Sequence, residues 1–222
     1  MKDEIVQVAL KQFLKVGIRE MSVQKLIEKL GISTKTVYKY FKNKEDLLEE
    51  ALLLFYAKEY KTLDELSAGE NAVHLLLEIW YKAVQVEYDL NSLLFQDLRY
   101  YYPELQQKID KTISKRFEEK FVQVIQKGME EDVFQNNLIP EVVMGSIYTL
   151  YVRAFRTDEF KQYNVSSYDL YLNTLVVYIK GLCTAKGLNE LESYLPRLQP
   201  FGKSNKSKGK IANYKEAWKQ FK

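Results

Sequence analysis

The chain has 222 residues, 46% of them hydrophobic, enough apolar content for a sizeable core in one or two domains. Its one cysteine, Cys183, excludes an internal disulfide and a cysteine-rich zinc site, and no apolar run approaches the ~20 residues of a bilayer span. The net charge of +3 is unevenly spread: ten Lys/Arg against four Asp/Glu in residues 1–44, sixteen against twenty-five in 45–202, and seven against one in 203–222.

Basic ends around an acidic middle bring a polyanion to the termini. Lys2, Asp3 and Glu4 precede Ile5, so no secretory leader is expected and the expected location is cytoplasmic. Ile5, Val6, Ala9, Leu10, Phe13 and Leu14 predict an amphipathic first helix ending at Gly17. Val23, Leu26, Ile27 and Leu30 then form an i, i+3, i+4, i+7 stripe, with Ser22 placed to cap its start and Gly31 to end it. Two residues later Ser33 can cap another helix, from Thr34 to about Phe41, with Val37 and Phe41 inward and Thr34, Lys35, Thr36, Tyr38, Lys39 and Tyr40 largely outward. Helix, glycine turn, helix is the helix-turn-helix pattern, whose second helix enters the DNA major groove.

Asn43, with Glu45 and Asp46 behind it, predicts the cap of a long helix carrying Leu47, Leu48, Ala51, Leu52 and Phe55 to about Leu66. Ser67-Ala68-Gly69 breaks the pattern. Further helices are predicted over Ala72–Leu90, over Leu93–Tyr102 after an Asn91-Ser92 cap, and over Glu104–Glu131 beyond Pro103. Pro140 starts another to about Arg156, and a Ser166-Ser167 cap opens the last, Tyr168 to Ala185, closed by Lys186-Gly187. Strand-type alternation is absent. The expected fold is all-α with about nine helices: a three-helix DNA-binding head (1–45), a larger helical ligand-binding and dimerisation body (46–195) and a basic tail (196–222). In that tail Tyr214, Ala217, Trp218 and Phe221 stand at helical spacing; DNA backbone, a partner subunit and a mobile tail all remain open readings for it.

The stretch GISTKTVYKYFKNKEDLL, residues 31–48, resembles the DNA-binding signature of the TetR/AcrR-like transcriptional regulators, and the likeness extends upstream through Ala9, Phe13 and Gly17. Met21-Ser22 departs from the threonines more often found there, although Ser22 keeps a hydroxyl at the cap. The resemblance places Thr36 and Tyr38 at phosphate-contacting positions, with Ser22 and Lys44 adding contacts at two helix starts. Base reading then falls to Thr34, Lys35, Lys39 and Tyr40, with Lys35 directed at a guanine. It also implies a homodimer formed through the two last long helices, about 140–156 and 168–185, on a palindromic double-stranded operator. Both helices are apolar on more than one side, and a helix of that kind needs cover on more than one face.

Seventeen tyrosines and two tryptophans are many for this length. Trp80, Tyr81, Tyr88, Phe95, Tyr101, Phe117, Phe121, Tyr148 and Tyr151 lie on helices that line the family's pocket, so the resemblance implies a small-molecule effector; ordinary core is the competing reading. Glu78, Glu87 and Asp97 are read as part of an acidic body. His74 stands alone, with no second histidine or cysteine cluster to hold a metal, and no cofactor is implied. No glycine-rich phosphate loop or nucleophile elbow marks an enzyme. The reading is a ligand-responsive DNA-binding regulator of repressor type. A regulator without an effector, or one under a protein partner, and a helical carrier or enzyme with a vestigial head are the alternatives.

Overall fold

The computed structural model describes residues 1–66, 71–89 and 93–201. The expected break at Ser67-Ala68-Gly69, the Asn91-Ser92 cap and the helix around Trp218 lie outside these residues.

Among the described residues eleven α-helices follow one another: α1 (Lys2–Glu20), α2 (Val23–Leu30), α3 (Thr34–Tyr38), α4 (Lys44–Leu66), α5 (Ala72–Asp89), α6 (Leu93–Tyr101), α7 (Pro103–Glu130), α8 (Pro140–Phe155), α9 (Ser167–Asn173), α10 (Leu175–Leu182) and α11 (Ala185–Tyr194). Among the described residues there is no strand, and the one bridge pairs Phe134 with Cys183. None of the described helices is long and apolar enough to cross a membrane. The fold is all-α, as expected.

By contacts the chain groups into two compact units. One takes residues 1–62 with 93–114; the other takes the described residues of 63–89 and from 115 onward. This differs from a division at residue 45, because α6 and the start of α7 group with the head helices. In the first unit Ile5, Ala9, Phe13, Leu26, Val37, Phe41, Leu48 and Leu52 are all buried. The helical run of α1 breaks where expected: Gly17 has φ 80° and ψ 176°, a region only glycine occupies at low cost. A Cβ there would also meet Asp97 Oδ2 at 2.9 Å and Leu93 Cβ at 3.1 Å.

The second unit has a core of Val73, Leu76, Leu77, Trp80, Phe121, Phe134, Ile147, Tyr171, Leu175 and Ile179 among others. Here the expected last helix differs. It breaks at Thr174 (φ −120°, ψ −80°), whose hydroxyl donates to the Leu170 carbonyl at 2.6 Å. It then ends at Leu182, since Cys183 is extended and pairs with Phe134. Lys186 and Gly187 do not close this helix; they lie in the first turn of α11, which Thr184 caps by accepting from Gly187 N at 3.1 Å.

Candidate functional site

The helix-turn-helix is assembled almost wholly by short-range hydrogen bonds. Ser22 Oγ accepts from Lys25 N at 3.2 Å and starts α2. Gly31 ends it in the left-handed region (φ 63°, ψ 31°), returning its N–H to the Ile27 carbonyl. Ser33 Oγ accepts from Thr36 N at 3.2 Å and sits 2.9 Å from Thr36 Oγ1, so α3 begins at the next residue, Thr34. Asp46 N donates to Asn43 Oδ1 and Lys42 N to Asp46 Oδ2, a reciprocal cap on α4.

On α3 the inward side is Val37, with Phe41 just beyond, at 1% and 2% exposure. Thr34, Lys35, Tyr38 and Lys39 are exposed, and Thr36 and Tyr40 are half-buried. Tyr40 packs 6.4 Å from the Phe41 ring, with Lys39 Nζ 5.9 Å over its own ring. One short rod therefore presents two ammonium groups, a hydroxyl and a phenol to solvent. Ser22 is exposed as well, although its oxygen already serves the cap.

Lys44 departs from this group. Its Nζ donates to the Ile18 carbonyl, and burial pushes the ammonium below its ordinary pKa while Asp97 and Glu20 pull the other way. Asp97 itself accepts from Ile18 N at 2.8 Å and Arg19 N at 2.9 Å. The end of α1 is thus held by one carboxylate on its amides and one ammonium on its carbonyl. Asp97 is no mere contributor to an acidic surface, and its role depends on a pairing 79 residues apart that no local pattern displays.

The aromatic residues expected to line a pocket divide between the two units. Phe95 packs on Phe55 at 6.3 Å, and Tyr101 takes the Arg19 guanidinium over its ring at 5.2 Å, both within the first unit. In the second unit Trp80 lies 5.0 Å from Phe121 and 5.3 Å from Tyr151, with Phe117 half-buried against the same core. Tyr148, exposed, is 6.4 Å from Tyr151. Glu87 Oε1 accepts from Tyr151 Oη at 2.7 Å and from Arg156 Nε at 2.6 Å, while Glu78 accepts from Tyr194 Oη at 2.8 Å. These acids anchor buried phenols rather than adding undifferentiated charge.

Tyr81 and Tyr88 surround a segment of their own chain. Phe201 lies 5.0 Å from Tyr81, 5.9 Å from Tyr88 and 5.7 Å from Tyr168. Tyr81 Oη donates to the Gln199 carbonyl and Tyr168 Oη to that of Leu198. Sequence reading missed this clasp; nothing local marks Phe201 apart from the Pro200 before it. His74 stacks on Tyr194 at 4.3 Å, and no metal-ligand cluster occurs among the described residues.

Comparison with known proteins agrees with this geometry. The model of the family described as "Bacterial regulatory proteins, tetR family" matches residues 5–51. The chain is 22% identical over 151 residues to the "Fatty acid metabolism regulator protein" of Bacillus subtilis, covering 65% of this chain and 78% of that one. It is 23% identical over 147 residues to the "HTH-type transcriptional repressor KstR2" of Mycolicibacterium smegmatis, covering 64% and 71%. In three dimensions it is similar to the regulator FadR from Bacillus subtilis in complex with stearoyl-CoA, with a TM-score of 0.65, 20% identity, and coverage of 82% and 100%. With the head built as described, residues 5–51 match the tetR family of bacterial regulatory proteins, and over a longer stretch the chain is similar to DNA-binding transcriptional regulators of that kind.

Proposed function

We propose that the protein is a homodimeric repressor that binds a palindromic operator and leaves it when a small apolar effector binds the body. The observation that carries this reading is the exposed face of α3: Thr34, Lys35, Tyr38 and Lys39 project from a rod whose other side is locked by Val37 and Phe41. Lysines that neutralise phosphates release counterions and supply affinity that falls with salt. Tyr38 and Thr36, with Ser22 at the start of α2, set register on the backbone; Thr34, Lys35, Lys39 and Tyr40 read bases, with Lys35 on a guanine. Lys44 acts indirectly, by seating the end of α1.

The partner face is assigned to α8 with α9 and α10. Val142 and Val177 are 60% and 57% exposed, and Tyr148 is 41% exposed. A Cβ at Gly145 or Gly181 would meet nothing within 4 Å, which leaves room for a partner helix to approach closely. Ala154, by contrast, is buried in its own subunit. For the effector, the aromatic cluster of Trp80, Phe117, Phe121, Tyr148 and Tyr151 suits an apolar body. The stearoyl-CoA bound by the similar FadR makes a long acyl thioester the first compound to try. An effector shifts the operator equilibrium only by its differential affinity for the two head spacings.

Genomic fragments selected on the purified protein test the reading. A palindrome with half-sites about one turn of B-DNA apart, ~34–36 Å or somewhat more, bound by a dimer with salt-sensitive affinity, is the expected result. Binding by a monomer, or equal affinity for random DNA, would sink it.

A further inference from the structure

Trp80 is 2% exposed, and its indole Nε1 is buried with no hydrogen-bond partner among the described residues. An N–H left unpaired away from water loses its hydration with nothing in exchange, so buried donors are almost always matched. The indole lies against the rings of Phe121 and Tyr151 at 5.0 and 5.3 Å. Around Tyr151 the polar groups are paired: its hydroxyl and Arg156 Nε both donate to Glu87 Oε1, and the Arg156 guanidinium lies 5.2 Å over the Tyr151 ring. The cluster therefore holds one unmatched donor, surrounded by aromatic carbon, next to an ion pair that is already neutral.

We infer that Trp80 Nε1 is the recognition donor for the effector, and that the part of the effector seated there is uncharged, an apolar body with a carbonyl oxygen. The inference deepens, and rests on, the reading of this unit as effector-binding. The charge state follows from desolvation. A carboxylate brought to Nε1 exchanges its hydration for a single neutral N–H, while Arg156 beside Tyr151 is held by Glu87. A ketone, ester or thioester oxygen loses far less and gains the N–H. A hydrocarbon of the same shape fills the aromatic site but leaves the donor orphaned, so the site discriminates by the oxygen.

The full chain with Trp218→Phe and isotope-labelled indole nitrogen reports on Trp80 alone, because the protein has two tryptophans. Two matched pairs serve as probes: methyl naphthyl ketone with the alkene in which C=CH2 replaces C=O, and stearoyl-CoA with the thioether in which CH2 replaces the thioester carbonyl. The expected result is a downfield shift of the Trp80 indole proton with the carbonyl member of a pair and not with its partner. Its affinity should be roughly three- to tenfold tighter, the range of one neutral hydrogen bond. Trp80→Phe, which keeps an aromatic ring and removes the donor, should erase that difference. A Trp80 signal that responds to no carbonyl probe, or equally to both members of a pair, overturns the inference. So does an upfield, ring-shifted indole proton that stays put under saturating probe, since the donor is then spent on a neighbouring π face. Operator release by a probe that leaves the indole silent sinks this site and spares the regulator. An indole response without operator release does the reverse.

Discussion

The second helix of the helix-turn-helix and the cluster around Trp80 are built in opposite ways. Around α3 the hydrogen bonds are made between residues at most four apart, as in Ser33 with Thr36 and Lys39 N with the Lys35 carbonyl. The chemistry points outward. Around Trp80 the ties span long stretches, 64 residues for Tyr151 to Glu87 and 69 for Arg156 to Glu87, and the chemistry points inward. A site made of caps and turns is written in one stretch of chain; a site made of tertiary packing is not. The difference also separates what each can bind: a polyanion too large to enter a core, or a small molecule that must be wrapped by one.

The sharpest way to break the contrast is to attack the long-range tie on which the head does depend. Gly17→Val forces a β-branched residue into φ 80° and drives its Cβ onto Asp97 and Leu93. It should cost about 3 kcal/mol, combining backbone strain with overpacking. Urea unfolding would measure it, and a loss below about 1 kcal/mol would mean that the end of α1 is not held as described.

Next in size are the surface cations of α3, which should act on DNA and leave folding alone. Lys35→Ala should lose about 1–2 kcal/mol on the operator and relax preference at one base pair, and Lys39→Ala, also assigned to bases, should do so at another. Tyr38→Phe, losing only the hydroxyl proposed to meet phosphate, should weaken all sequences alike and by less. Fluorescence anisotropy on operator and random duplexes separates the two patterns. Identical losses on both duplexes for both lysines would remove the division of labour.

Lys44→Ala sharpens the same comparison, because this cation is turned inward to the Ile18 carbonyl. Its loss should lower stability by about 1 kcal/mol and weaken DNA binding through a loosened α1, with the salt slope nearly unchanged. A slope reduced by about one unit would restore Lys44 as a direct phosphate contact.

Legibility follows the same line. The Ser22, Ser33 and Asn43 caps, the Gly17 and Gly31 breaks and the buried pair Val37 and Phe41 are local events, and each was readable as a residue type at a spacing. The single expected helix over 168–185 was not resolved correctly. Its apolar pattern continues through Thr174, and only the back-bond to Leu170 and the pairing of Cys183 with Phe134 divide it. Among the expected ligand residues, aromatic type alone did not separate Trp80, Phe121 and Tyr151 from Tyr81 and Tyr88, which clasp Phe201, or from Phe95 and Tyr101 in the other unit. Asp97, Glu87 and Arg156 carry no local signal, because what makes each of them matter is a partner far away in sequence.

The smallest effect belongs to Cys183, where the interior of the second unit can be probed by pH. Burial pushes its thiol up to about 11 from the 9.0 of an exposed cysteine, and its Sγ lies 3.2 Å from the Ile179 carbonyl. Between those values the unfolded chain gives up this proton and the folded chain keeps it. The contribution to stability is therefore fully present below pH 9.0 and is lost progressively as pH rises toward about 11. Lysines and tyrosines titrate in the same range, so the informative quantity is the difference between the native protein and Cys183→Ala, measured by urea unfolding at several pH values. The native protein should lose its advantage over the variant across that window. At pH 8 a thiol reagent should label Cys183 far more slowly in the folded protein than in urea, since the thiolate is the nucleophile. Rapid labelling of the folded chain, or a pH-independent difference between the two proteins, would show that the joint between α10 and α11 opens readily to water.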